Sequence, residues 1–345
     1  MDVKSAFLNG VIKKKSMFQG FEGPCKTDHV YRLNKALYGL KQAPRAWYER
    51  LTTFLLSKDF VRGSVDKTLF VQHKGKHLLV VQISMDDIIF GSTSPALVNE
   101  FFDFMQSKFE MSMMGELTFF LGLQVRQFEH GILIVSQTKY ASNLVKKFGL
   151  ESAKHSRTPM STNTKLSKDL DGVSIDQTLY RSMIGGLLYL IASRPDIAFS
   201  VGVCARSQAN AKESHLATVK RVIKYINGTM GYGIWLSNDT NSNLAGFSDA
   251  DWVGCADDRK STSGGCSYIG NNLVAWFSKK QNSISLSTAE VEYIAAGSAC
   301  TASLDNKCCM STGYLKNAIL FTVTTRTSAI NIPKNPVQHS RTKAH

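Results

Sequence analysis

The sequence predicts an α+β unit, then a helical stretch, then a smaller α/β unit. Three observations carry this. Residues 78–93 set two apolar, β-rich runs on either side of a turn-sized gap, a β-hairpin pattern with Asp86 and Asp87 at its tip. Helical patterns then recur over Leu179–Ile191, Pro195–Gln208 and Ser214–Tyr225. Beyond Asn243, three strand patterns precede a helix and a short strand. A chain of 345 residues is expected to hold two or three domains, here bounded as 1–150, 151–235 and 240–345.

Apolar residues make up 43% and charged residues 20%, which suits a globular chain. Lys and Arg outnumber Asp and Glu by 41 to 27, a formal charge of +14 that favours a polyanionic partner such as nucleic acid. Seven scattered cysteines lack C-x-x-C pairs and zinc spacing with the histidines, as expected in a reducing compartment. No apolar run approaches the ~20 residues of a membrane span, and Met1 is followed by Asp2, Val3 and Lys4 rather than a secretory signal. The expected location is cytoplasmic or nuclear, without a membrane partner and not secreted.

Residues 1–10 look like a strand end running into a turn at Asn9-Gly10. Only Met1 precedes Asp2, so the strand is expected to fray and the chain to be a fragment. Pro44 suits the first turn of a helix whose apolar face is Trp47, Leu51, Phe54 and Leu55. Gly39, Lys41, Gln42 and Arg45 form a basic turn at its positive end, a place for phosphate or merely a solvated helix start. Ser94-Pro95 opens a second helix with Leu97, Val98, Phe101, Phe102, Met105 and Phe109 toward a core. Phe119–Val125 is expected to be one strand with Gly122 inside it, marking a bend or a close backbone approach. Ile132–Val135 is a strand leading to a helix with Lys146 and Lys147, and the polar residues 152–176 read as a linker.

In the last unit, Leu244–Asp249 is a strand ending on a carboxylate, and a hairpin follows across Gly270-Asn271-Asn272. A helix starts at Ser287 and carries Glu290, and Ile319–Thr324 is a strand. Glu290 either completes a capping box with Ser287 or, sharing a face with Tyr293 and Ile294, points to the sheet. Asp251, Asp257 and Asp258 read as loop carboxylates. The Asp86-Asp87 pair also has two readings. Asp is common in turns, yet carboxylates on rigid strands are hard oxygen donors of the kind Mg²⁺ takes.

Several blocks together carry a resemblance. Met-Asp-Val-Lys-Ser-Ala-Phe-Leu-Asn-Gly, Leu-Tyr-Gly-Leu-Lys-Gln-Ala-Pro-Arg-Ala-Trp, Asp-Asp-Ile-Ile-Phe-Gly-Ser and Phe-Leu-Gly-Leu-Gln-Val follow one another in order. They resemble the reverse transcriptase of copia-type long-terminal-repeat retrotransposons, as do Leu-Tyr-Arg-Ser-Met-Ile-Gly and Ser-Arg-Pro-Asp-Ile. Ser-Asp-Ala-Asp-Trp and Ser-Thr-Ala-Glu-Val-Glu-Tyr resemble the ribonuclease H domain that follows in that polyprotein. The resemblance implies a polymerase palm, a helical thumb and connection, and an α/β ribonuclease H-like domain. It implies catalytic roles for Asp2, Asp86 and Asp87, and for Asp249 and Glu290 in the second domain, all as Mg²⁺ ligands. Phe7 would match the gate that excludes a ribose 2′-hydroxyl. Gly39, Lys41, Gln42, Pro44 and Arg45 would support template and nucleotide, and Gly122 would lie in the primer grip. The implied partners are an RNA/DNA heteroduplex and deoxynucleotides.

The chain departs from the pattern in places. Ser84 replaces the tyrosine of Tyr-x-Asp-Asp, and the fingers region expected before Asp2 is missing. Thr325-Arg326 stands where a third ribonuclease H carboxylate is expected, a fourth is expected beyond Lys343, and 301–318 lack the family's apolar helix. The expectation is a weak or inactive polymerase fragment with a degenerate ribonuclease H domain. The alternatives are a non-catalytic nucleic-acid-binding remnant and a pseudogene product that does not fold stably.

Overall fold

The structure is a computed structural model and describes residues 1–12, 17–18, 31–64, 66–135, 137–161, 166–241, 243–305 and 320–323. The expected departures at Thr325-Arg326 and beyond lie outside the described residues. Two compact units divide the chain, Met1–Leu117 and Thr118–His345.

The first unit contains β1 (Asp2–Val3), β2 (Met17–Phe18), β3 (Tyr31–Arg32), α1 (Ala43–Leu56), β4 (Val61–Arg62) and β5 (Leu69–Lys74). It continues with β6 (His77–Ser84), β7 (Asp87–Ser92), α2 (Pro95–Lys108) and β8 (Met111–Ser112). Six strands form an antiparallel sheet in the order β4-β5-β6-β7-β1-β8, and β2 pairs with β3 separately. Strand β6 alternates as a half-buried strand must, with Leu79, Val81 and Ile83 inside. Trp47, Leu51 and Leu55 of α1 pack on that face with Phe101 and Met105 of α2 and with Phe109. Val98 and Phe102, expected in the core, are only half-buried, and Phe104 packs against it instead.

Strand β1 corrects the expectation of a frayed start. It lies inside the sheet, paired to β7 on one side and β8 on the other. The Met1 amino group donates to Ile88 O at 2.8 Å, Ile88 N–H donates to Met1 O at 2.9 Å, and Lys4 N–H donates to Glu110 O at 3.0 Å. Long-range pairing on both edges holds two residues that local propensity could not.

The second unit contains β9 (Phe119–Phe120), β10 (Leu123–Phe128), β11 (Gly131–Val135), α3 (Thr138–Lys147), α4 (Gln177–Leu190) and α5 (Ala198–Ala205). Then come α6 (Glu213–Gly228), β12 (Gly233–Ser237), β13 (Leu244–Ala250), β14 (Thr262–Ile269), β15 (Asn272–Lys280), α7 (Thr288–Asp305) and β16 (Leu320–Val323). The expected single strand over Phe119–Val125 is two strands folded on each other, with Leu123 opposite Phe120. Leu121 and Gly122 take φ of 47° and 80°, the left-handed pair that a two-residue hairpin turn needs. Strand β12, not expected from the sequence, adds to β11 and completes the order β12-β11-β10-β9.

Helices α3 to α6 share one core, with Leu144, Tyr180, Ile184, Leu187, Val201, Val222 and Ile226 buried. Described residues of the expected linker, in 152–161 and 166–176, are hydrogen-bonded to α6. Arg221 donates to Thr158 Oγ1 at 2.9 Å, and His215 Nε2 lies 2.7 Å from Ser167 O. The last sheet has the order β15-β14-β13-β16, antiparallel except that β16 runs parallel to β13. Helix α7 lies in the chain between the antiparallel strands and β16, the crossover that a parallel pair requires.

Candidate active site

Two carboxylate sites emerge, one in each unit. In the first, Ser84 pairs with Asp87 at the end of the β6–β7 ladder, leaving Met85 and Asp86 as the two turn residues. Met85 sits at φ 56°, a left-handed conformation that costs a side-chain-bearing residue about 1–2 kcal/mol. Its carbonyl accepts the Trp47 indole N–H at 2.8 Å, which pins the tip onto α1.

Strand β1 brings Asp2 directly opposite Asp87, and Val3 N–H donates to Asp86 O at 3.3 Å. The three sequence-predicted carboxylates are therefore neighbours. Asp87 records their proximity, since burial first, and then the charges of Asp86 and Asp2, push its carboxyl above the usual range. The donors are all hard oxygens, and a cation would relieve their repulsion. Among the described residues no group of three or more His, Cys, Asp or Glu is placed to hold a metal ion. Mg²⁺ is commonly bound through one or two carboxylates with water and substrate phosphate completing the shell, and this donor set fits that mode.

Phe7 lies on the short 3-10 helix Ala6–Asn9 that follows β1, its ring 4.7 Å from that of Tyr38. Gly39 takes φ 86° in the turn after Tyr38, and Lys41 and Gln42 are exposed just before α1. Pro44 occupies the first turn of α1, and Arg45 pairs with Glu49 at 3.3 Å. Gly122 belongs to the second unit. A Cβ there would lie 3.0 Å from the Tyr189 hydroxyl, beyond the strain of its φ.

In the second site Asp249 stands near the end of β13, exposed, as the sequence predicts. Glu290 does not face it. Its Oε2 accepts Leu286 N–H at 2.8 Å and its own N–H donates to Ser287 Oγ at 3.2 Å, so it caps the start of α7. The buried stripe of α7 is Val291, Ala295 and Ala299, at i, i+4 and i+8, while Tyr293 is 52% exposed. That register turns Glu292 toward β13.

Burial first, and then the charge of Asp249, raise the Glu292 carboxyl, while the Ala250 backbone N–H lowers it. Glu292 Oε2 is buried with no hydrogen-bond partner, an orphaned oxygen that a cation beside Asp249 would satisfy. The sequence reading missed Glu292. The signal was the small-residue spacing of Ala295 and Ala299, which fixes the helix face. Asp251 accepts Thr262 N–H, and Asp258 bonds Lys280 at 2.7 Å, consistent with loop roles. None of the described helices is long and apolar enough to cross a membrane.

The family model for reverse transcriptase (RNA-dependent DNA polymerase) matches residues 1–162. The retrovirus-related Pol polyprotein from transposon RE1 of Arabidopsis thaliana is 37% identical over 296 residues, 85% of this chain and 20% of that protein. The corresponding polyprotein from transposon TNT 1-94 of Nicotiana tabacum is 31% identical over 355 residues, 99% of this chain and 27% of that protein. An uncharacterized mitochondrial protein of Arabidopsis thaliana is 33% identical over 210 residues, 61% of this chain and 86% of that protein. The chain thus spans 20% to 27% of the length of the two polyproteins.

Proposed function

Because the chain belongs to the reverse transcriptase family of copia-type Pol polyproteins, we propose that it carries out slow, Mg²⁺-dependent, RNA-directed DNA synthesis at Asp2, Asp86 and Asp87. The observation that supports this most is the cross-strand placement of Asp2 against Asp87, one residue from Asp86. Asp2 and Asp86 would hold Mg²⁺, with Asp87 assisting. Bound Mg²⁺ would activate a primer 3′-hydroxyl and neutralise charge on the departing pyrophosphate.

The chain's own residues supply position. Trp47 fixes the hairpin tip, so Asp86 is held without reorganisation during the reaction. Phe7, backed by Tyr38, is suited to fill the space beside a sugar and exclude a 2′-hydroxyl. Gly39, Lys41, Gln42, Pro44 and Arg45 surround the positive start of α1, suited to template phosphate and nucleotide. Ser84 in place of an aromatic residue removes a packing contact near a primer end and underlies the slow rate. The +14 charge provides a sequence-independent grip on an RNA/DNA heteroduplex.

The first unit corresponds to the palm and the helices α3 to α6 to a thumb and connection. Strands β13 to β16 with α7 correspond to a ribonuclease H-like domain in which Asp249 and Glu292 are the surviving carboxylates. The proposal that this hydrolase is degenerate rests on the sequence, where Thr325-Arg326 stands in place of an expected third carboxylate.

A primer-extension assay on an RNA template, with and without Mg²⁺, tests the proposal. Slow extension that requires Mg²⁺ and vanishes in Asp86→Asn is expected. Extension that survives Asp86→Asn would place the chemistry elsewhere. Salt-sensitive heteroduplex binding with no extension would leave a binding remnant and overturn the catalytic reading.

A further inference from the structure

One face of the β12-β11-β10-β9 sheet is buried and the other is exposed. Directly opposed residues share a face, so Arg126, Leu133 and Trp235 form one cross-strand row, and Phe128, Gly131 and Ser237 the next. Ile234 and Val125, of opposite parity, are buried on the covered side. On the open side Trp235 is 45% exposed and Phe128 is 52% exposed, with ring centroids 5.7 Å apart and planes at 47°. Phe119 of β9, opposite Gln124, is 67% exposed.

Gly131 shapes this surface. A Cβ there would meet Trp235 Cζ2 at 2.6 Å and Leu236 O at 2.5 Å, so its absence lets the indole lie flat across β11 with its other face to solvent. The charge is one-sided. These rows hold a single charged side chain, Arg126, exposed and without an ion pair or hydrogen bond among the described residues. The acidic residue of the β10–β11 hairpin, Glu129, lies in its turn.

Flat, solvent-facing rings on an open sheet, beside an unpaired guanidinium and with no carboxylate among them, suit unpaired bases and their phosphates. A duplex keeps its bases stacked inside and offers no ring faces to such a surface. We infer that the open face of this sheet, centred on Trp235, Phe128 and Arg126, is a stacking platform for single-stranded nucleic acid, separate from the carboxylate sites. The inference rests on the nucleic-acid reading above and extends it to a second surface and an unpaired strand.

The test uses the full chain, a 15-nucleotide oligo-dT and an RNA/DNA heteroduplex of the same length. Affinity is followed by anisotropy and by tryptophan quenching. Trp235→Ala and Phe128→Ala are each expected to weaken oligo-dT binding about 10-fold, within the range for losing one aromatic–base stack, while heteroduplex affinity is unchanged. Trp235→Phe, which keeps a ring, should lose less affinity but most of the quenching. Arg126→Gln should reduce the salt dependence of oligo-dT binding. Both alanine variants replace exposed rings, and unchanged circular dichroism excludes misfolding. Oligo-dT binding unaffected by either alanine variant overturns the platform. So does wild-type binding of the heteroduplex without oligo-dT, which leaves the nucleic-acid reading standing. Binding of neither ligand overturns both. Self-association abolished by Trp235→Ala, with nucleic-acid binding intact, would assign the face to a second copy of the chain instead.

Discussion

Replacing Asp196 with Asn should be among the most damaging single changes in the second unit. Arg194 is buried, its side chain 2% exposed, and it meets Asp196 through two contacts, Nε to Oδ1 at 2.8 Å and Nη2 to Oδ2 at 2.7 Å. It also donates to Thr229 O at 3.0 Å and Thr229 Oγ1 at 2.7 Å, with its guanidinium over the rings of Tyr225 and Tyr232. Removing one partner of a buried pair costs about 3–5 kcal/mol, because the remaining charge is left uncompensated. Asp196 is itself 31% exposed, which favours about 3 kcal/mol, or about 6–12 °C in Tm for a unit of this size.

The pH dependence is also fixed. Burial raises the Asp196 carboxyl, but the hydrogen bonds and charge of Arg194, with the Tyr225 hydroxyl, outweigh it and hold the group below the usual range. A depressed folded pKa contributes stability above the unfolded value of about 3.9 and loses it as pH falls through the folded one. Urea denaturation of the full chain, followed by tryptophan fluorescence at pH 7 and in steps below 4, measures both effects. An Asp196→Asn cost under about 1 kcal/mol, or an acid-side loss as steep as in the wild type, would refute the reasoning.

Other perturbations separate neighbouring roles. Glu292→Gln removes a charge beside Asp249 and should not destabilise the fold at pH 7, whereas Glu290→Ala removes a cap and should cost about 0.5–1.5 kcal/mol in urea. Trp47→Phe deletes the bond to Met85 O and should cost about 1 kcal/mol or more, with faster amide exchange at Met85 and Asp86. Asp87→Asn relieves like-charge repulsion. The raised folded pKa of Asp87 means that its favourable contribution is present below the unfolded pKa and lost as pH rises through the folded value. The variant should therefore gain about 0.2–1 kcal/mol at pH 7, after screening, and nothing in acid, as read by melts at the two pH values.

Much of this architecture was legible because local signals agreed with the packing. The β6–β7 hairpin, α1 after Pro44 and α2 after Ser94-Pro95 all stand where periodicity and start signals place them. What escaped depends on partners distant in sequence. Residues Asp2–Val3 form a strand only because β7 and β8 flank them, and 233–237 becomes β12 only because β11 offers an edge. Phe119–Val125 read as one strand because an apolar run hides a turn unless Gly122 is given its positive φ. The resemblance named Asp2, Asp86 and Asp87 as candidates, and the sheet shows that they are neighbours. Glu292 was not legible, because two glutamates two residues apart on α7 differ only in which side of the helix meets β13.

The central proposal is that Asp2 and Asp86, with Asp87 assisting, hold a divalent cation on the first sheet. Thermal melts of the wild type, Asp2→Asn and Asp86→Asn across a Mg²⁺ titration, with Ca²⁺ and matched ionic strength as controls, test it without requiring turnover. The account predicts a Tm that rises with Mg²⁺ in the wild type and is flat in both variants, since a ligand stabilises only the state that binds it. An equal rise in all three proteins, or none in the wild type, would contradict it.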